Sequence, residues 1–333
     1  MEKHITMAMG SGGRAASKLI DELIRPIFKN KELDKQSDYA EFDFNGRMVM
    51  ATDSHVVTPL FFKGGDIGSL AVNGSVNDVA VAGAEPLYMS CGLIIEEGLP
   101  LADLKRVLQS MKKAADTANI QIVTGDTKVV EKGAADKIFI NTTAVGKGFK
   151  GYRPPSFEHV EVGDKIIISG HIGEHGATLL SLRNELPFSS DLSSDCAALN
   201  GLIKSFYDDN VCWMRDATRG GVSACLNELA TQIKKGILLY EEELPLNPHV
   251  QSLCDILGLD ALNIANEGKV ISICKPKAAK DILQKHKAHP LGRNAAIIGE
   301  VIADENCFVQ MQTPYGGHRI IYWDNAEQLP RIC

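Results

Sequence analysis

The 333-residue sequence has no Cys-x-x-Cys pair among its eight cysteines, no Gly-x-x-x-x-Gly-Lys-Ser/Thr loop, no long apolar run and no cluster of basic residues. The first absence weakens the zinc and dithiol readings and leaves most of Cys91, Cys196, Cys212, Cys225, Cys254, Cys274 and Cys307 as small buried apolar residues. The second means that any nucleotide site is not a P-loop. The third leaves nothing able to cross a bilayer, and the opening from Met1 to Gly10 lacks the apolar core of a secretory signal. Together these predict a cytoplasmic protein with no membrane partner. The fourth, with a formal net charge of -7, leaves no face for the electrostatic grip that nucleic-acid binding needs. No long-period repeat or low-complexity segment is present either. One cysteine stands apart: Cys333 is the last residue, too far along for a prenylation box, whose cysteine lies four from the end.

A chain this long with 44% hydrophobic residues can bury a sizeable core, and its length favours two domains. Helical spacing over 14–29 and 101–118, an Ala/Val-rich stretch from Val72 to Ala82, and strand patterns at 47–51, 120–124 and 137–141 make the first half α/β. Turn formers and a proline pair at Gly146 to Pro155 mark a boundary. The second half opens on the strand Lys165 to Ser169 and a glycine-rich turn carrying His171 and His175, for which local hydrogen bonding is the expected role. Helices follow at 177–184, 197–207, 220–233 and 277–286, with strands near 237–241, 269–274, 295–302 and 319–323, so this half is α/β as well. The domains expected are 1–150 and 151–323, followed by a mobile tail, 324–333.

Two segments echo each other, Asp53-Ser-His-Val-Val and Asp126-Thr-Lys-Val-Val, which would place two carboxylates at equivalent strand ends, where α/β proteins gather ligands. Phe61 to Asp78 is a glycine turn, Gly64-Gly65-Asp66, running into a helix that carries Asn73, Asn77 and Asp78. Glycines let backbone approach a phosphate, and magnesium wants oxygen ligands of the kind Asp53, Asp78, Asp126 and Asn73 supply. On pattern alone, a turn with a helix N-cap is the favoured reading. Asn and Asp side by side in an Ala/Val helix interior fit it poorly, because both are weak helix formers there. Met214 to Val222 joins Asp216 and Arg219 to a glycine pair and reads alone as helix capping. Glu267 and Lys128 at strand edges are, on their own, solvated charges.

Taken together, these segments resemble the HypE family of hydrogenase maturation factors, carbamoyl dehydratases of the superfamily that contains aminoimidazole ribonucleotide synthetase and selenophosphate synthetase. The resemblance runs nearly end to end, through Gly10-Ser-Gly-Gly13, Thr52-Asp-Ser, Phe61 to Asp78, Ser90-Cys-Gly, Glu96 to Pro100, Thr124 to Val130, Asp216 to Gly221, Asn266 to Lys269, His289 to Gly292 and the closing Pro-Arg-Ile-Cys333. Lys63 departs from the proline common before Gly64. What the resemblance implies is an α/β (α+β) aminoimidazole ribonucleotide synthetase-like fold, with the N-terminal sheet closing a barrel across a homodimer, a C-terminal α/β sandwich and ATP between the domains. It implies ATP contacts at Asp53, Gly64, Gly65, Asp66, Asn73, Asp78, Thr127 and Asp216, and magnesium at Asp53, Asp78, Asp126 and Asp216. Cys333 would carry a carbamoyl group delivered by the carbamoyltransferase HypF. Lys128 and Glu267 would lie near its amide nitrogen, and the cyanide formed would pass to the HypC–HypD assembly proteins.

The tail suits that role. About ten residues beyond the last strand reach up to roughly 33 Å when extended, and Pro330 resists helix. The terminal carboxylate should disfavour the Cys333 thiolate, with Arg331 offsetting part of the effect, which predicts an ordinary thiol dependent on an activated donor. Lys128 would need burial or neighbouring cations to act as a base. The competing readings are a synthetase or kinase of the same superfamily acting on a free small molecule, and a non-catalytic carrier of a group or metal.

Overall fold

The computed structural model describes residues 3–10, 14–35, 39–183, 192–322 and 331–333. Two sheets dominate it. The first has four strands, β1 (Met48–His55), β2 (Ala84–Glu96), β3 (Gln121–Val130) and β4 (Ile138–Gly148), in the order β1-β4-β2-β3; β2 and β3 are parallel and the other neighbours antiparallel. The second has seven strands, β5 (Lys165–Ile168), β6 (Val211–Asp216), β7 (Gly236–Tyr240), β8 (Val270–Cys274), β9 (Ala296–Ile302), β10 (Val309–Gln312) and β11 (His318–Ile320), in the order β11-β10-β7-β9-β5-β8-β6.

The longest strand, β2, escapes the sequence patterns. Its run begins Ala84-Glu-Pro86, and proline lacks the N–H that a central strand donates. A register shift between Pro86 and Tyr88 takes up the missing bond, and β2 pairs on both sides. Strands β6 and β10 and the helix Pro248–Leu257 are further elements that the sequence patterns do not single out. The N-terminal helix pattern forms over Arg14–Phe28, with a π-turn at Ile20–Ile24.

The helices that position the site are α1 (Ile67–Val81) and α2 (Leu101–Ala118). The first is buried on nearly every side, because it packs on β1, β2 and β4 and also meets β6 and the helix Asn200–Phe206. This explains the polar residues in its interior. Asn77 donates to the carbonyls of Ala197 (3.1 Å) and Glu267 (3.4 Å) and accepts from the Leu199 amide (2.7 Å). A buried amide so paired joins α1 to the second sheet's half without the cost of an unmet hydrogen bond.

Three apolar clusters follow. One lies between the first sheet and α1 and α2, one fills the second sheet's half, and a smaller one, from Ala80 through Phe206 to Ile282, fills the junction. The other face of the first sheet leaves Met48 and Met50 on β1 exposed, at 59% and 67%. Five cysteines are buried, Cys196, Cys307 and Cys333 are partly so, and all eight are free thiols. Among the described residues no helix is long and apolar enough to cross a membrane.

Candidate active site

The terminus is seated in the protein. A terminal carboxylate oxygen of Cys333 accepts from the Val56 amide (2.9 Å) and the Arg331 carbonyl from the Thr58 amide (3.4 Å), so the tail pairs with the chain leaving β1. Ile332 is 4% exposed and belongs to the first core. Arg331 donates to the Val56 carbonyl and pairs with Asp136 at 2.8 Å, while Arg183 donates to the Thr58 and Arg331 carbonyls. Residues 331–333 are thus docked by main-chain and guanidinium bonds. The rest of the expected tail, 324–330, lies outside the described residues.

Burial pushes the Cys333 thiol up to about 12, the negative charges of Glu267 and Asp53 add to this, and Arg219 opposes them. The thiol is held neutral, by burial first of all. The offsetting cation is Arg219, because Arg331 is engaged with Asp136 and the main chain.

Around the thiol the fold gathers acids. Asp53 near the end of β1 sits over Gly74 of α1, where an added Cβ would come within 3.1 Å of its carboxylate. Asp78 lies one turn further along the same helix face. Asp216 ends β6 and Glu267 precedes β8. Burial, then Asp53, raises Asp78 to about 6; burial, then Asp78, raises Asp216 to about 7. Glu267, 4% exposed, is raised well above the carboxylate range by burial and by Asp195, Asp216 and Asp53. Its Oε1 has no hydrogen-bond partner. Buried acids that raise one another lack a counter-charge for their ionised forms, which a divalent cation would supply. Among the described residues no three such side chains converge tightly enough to cage a metal alone. Magnesium does not require that, since it keeps waters and phosphate oxygens as ligands alongside one or two carboxylates.

Three further residues complete this cluster. His55, fully buried, lies 3.3 Å from Asp53 with neither ring nitrogen hydrogen-bonded. Asp195 accepts from the Glu267 and Gly268 amides and from Lys269 (3.0 Å), holding Glu267 in place. A Cβ on Gly268 would meet the Asp195 carbonyl at 1.9 Å, so only glycine fits there.

The remaining predicted residues fall elsewhere in the same chain. Gly64, Gly65, Asp66 and Asn73 line a cavity of about 800 Å3 between α1, α2 and the segment 196–204, whose lining does not include Asp53, Asp78 or Asp216. There Asp66 caps α1, accepting from the Gly68 and Ser69 amides, so the N-cap reading holds for it. Gly64 has φ +91°, and a Cβ on it would strike the Ser194 carbonyl at 2.3 Å. Asn73 donates to Cys196 Sγ (3.3 Å).

Asp126, Thr127 and Lys128 lie on β3, at the opposite edge of the sheet from Asp53 on β1. Three strand spacings, roughly 14 Å, separate the two edges. Lys128 is exposed and paired with Asp126 at 2.8 Å; its hydrogen bond holds the Asp126 carboxyl below the usual range. They line a separate cleft of about 530 Å3 with Gly10, Ile20 and Phe28. Within one chain, then, Asp126 does not join the other three metal candidates, and Lys128 does not join Glu267. Residues 11–13 of the glycine-rich opening lie outside the described residues.

Residues 36–147 match the family AIR synthase related protein, N-terminal domain, and residues 161–312 the corresponding C-terminal domain. The carbamoyl dehydratase HypE of Azotobacter vinelandii is 52% identical over 332 residues, covering 99% of this chain and 97% of that protein. The chain belongs to the HypE family. A crystal structure of the hydrogenase maturation protein HypE in complex with ATP superposes with a TM-score of 0.94 at 45% identity, over 98% of this chain and 99% of that one. HypE in a crystal structure of a HypE–HypF complex superposes at 0.82 with 43% identity, over 92% and 99%.

Proposed function

We propose that this chain is an ATP-dependent carbamoyl dehydratase that converts an S-carboxamide on its own Cys333 into a thiocyanate, the source of cyanide ligands for nickel–iron hydrogenase. The observation that carries this reading is the seated terminus, which sets Cys333 among the charges of Glu267, Asp53 and Arg219. Hydroxide is a poor leaving group, so the amide oxygen must be activated; ATP supplies the phosphoryl group for this and magnesium the balancing charge. The oxygen leaves in phosphate, the nitrogen gives up two protons, and the products are thiocyanate, ADP and phosphate.

The chain's own share is positional. Cys333 carries the amide to the acid cluster, and Glu267, its main chain fixed by Asp195 and Asn77, takes a proton from the amide nitrogen in its ionised form, which a cation held by Asp53, Asp78 and Asp216 would favour. Asp53, Asp78 and Asp216 would hold magnesium. Lys128 and Asp126 keep the roles the resemblance implies if two copies pair through the first sheet and set β3 of one beside β1 of the other. The exposed Met48 and Met50 on that sheet face support the homodimer. We keep 1–150 and 151–323 as domains and 324–333 as a tail that leaves the pocket to be loaded by HypF. Transfer to HypC–HypD in the cytoplasm completes the reading.

Intact-mass analysis after incubation with HypF, carbamoyl phosphate and ATP tests it. The carbamoylated chain appears first, then a species lighter by one water. A chain that loads but never loses water on ATP addition is a carrier; one that turns over ATP without loading acts on a free molecule.

A further inference from the structure

We infer that His175 is a positioning residue that latches the substrate-bearing terminus in its pocket, an inference that rests on the dehydratase reading above. His175 is fully buried in the helix Glu174–Arg183. Its Nε2 lies 2.7 Å from the Ile332 carbonyl oxygen, the peptide group that joins the cysteine to the chain. A carbonyl only accepts, so the proton is on Nε2 and Nδ1 is the acceptor. Nδ1 is met by the Ser194 hydroxyl at 2.8 Å. Ser194 Oγ in turn accepts the Cys196 amide (3.1 Å), which leaves its own hydrogen free for the imidazole. The orientation is thus set from the loop inward: Ser194 fixes the tautomer, and the tautomer fixes the donor aimed at the tail. Phe62 closes one side of the ring at 5.5 Å between centroids.

His175 was expected to bond only within its own turn. His171 does so, lying 3.5 Å from Glu174, whereas His175 reaches 157 positions along the chain. The other tail contacts grip residue 331 or the Cys333 carboxylate. Only the imidazole takes the Ile332 carbonyl among the described residues. A buried donor there is well placed to favour the seated form over the released one, because release leaves Nε2–H without a partner in a dry site.

The test reads tail position directly. The protein is treated with a thiol-specific maleimide, and labelling of Cys333 is followed by peptide mass, with Cys307 as an internal control. His175→Leu should label at Cys333 about five- to tenfold faster, the ratio corresponding to one buried hydrogen bond, with Cys307 unchanged. His175→Gln, which keeps a donor, should stay near the wild-type rate. If His175→Leu does not fold, Ser194→Ala, which frees the tautomer, should show the same change in smaller degree. A Cys333 rate equal to wild type in a folded His175→Leu, or in Ser194→Ala when the first does not fold, overturns the latch. Labelling requires no dehydration, so failure of the functional reading would leave this result standing. Single-turnover water loss from the carbamoylated chain should also slow in His175→Leu while carbamoyl loading does not.

Discussion

Asp53-Ser-His-Val-Val and Asp126-Thr-Lys-Val-Val look alike and lie on the two edge strands of one sheet, yet their carboxylates live in opposite surroundings. Asp53 faces buried His55, the raised acids Asp78, Asp216 and Glu267, and the seated thiol. Asp126 stands at the surface, neutralised by the lysine two residues on. The difference teaches that a motif sets which chemistry is available, while the third dimension sets charge balance. One edge crowds acids whose ionised forms lack a counter-charge; the other is already paired.

The largest effect expected from disturbing this contrast is at the thiol on the Asp53 side. Cys333→Ala should abolish the carbamoylated and cyanated species by intact mass, and should lower stability by about 1 kcal/mol, since the side chain is partly buried. Glu267→Gln comes next: it should load normally and bind ATP, while water loss slows about 10²- to 10⁴-fold, the usual range for a lost general base. Retained dehydration at the wild-type rate would move the base elsewhere, to Asp53.

Lys128→Ala decides whether the two edges meet across subunits. It should slow water loss, and mixing it with Cys333→Ala should restore activity, because the mixed dimer unites an intact thiol from one copy with an intact lysine from the other. No restoration on mixing would confine Lys128 to its own chain, where it lies far from Cys333.

Smaller effects are expected on stability against pH. Asp78 and Asp216 have folded-state values raised to about 6 and about 7, so the fold favours their protonated forms. Their contribution is full below about pH 4, the ordinary aspartate value, and is lost as pH rises through 6 to 7. In EDTA the protein should therefore melt lower at pH 8 than at pH 5 from this source. Asp216→Asn should recover on the order of 1–2 kcal/mol at pH 8 and little at pH 5. Identical melting shifts for the variant at both pH values would remove the crowded-acid account. Asp126→Asn, at the paired and exposed edge, should change stability by no more than about 0.5 kcal/mol.

The fold was legible where a period had room to establish itself, as in α2 with Leu104, Leu108 and Met111 on one buried face. It was not legible in β2, where Pro86 contradicts a strand and only pairing on both sides overrides that. In the site, the acids and Cys333 could be named from motifs and family resemblance. Asp195 could not, nor could the role of His175, since each acts through a partner distant in sequence: the Glu267 amide and the tail carbonyl.

From the sequence alone came the residue types, two α/β halves, the absence of a P-loop, the terminal thiol and the family, all properties of local order that survive without coordinates. Tertiary structure alone decided that Asp53 and Asp126 sit on opposite edges, that the thiol is desolvated and held near Arg219, and that an imidazole holds the tail. These depend on which distant segments share a low-dielectric space, where burial and a few ångströms of separation change a group's protonation and its partner, and no linear pattern encodes that distance.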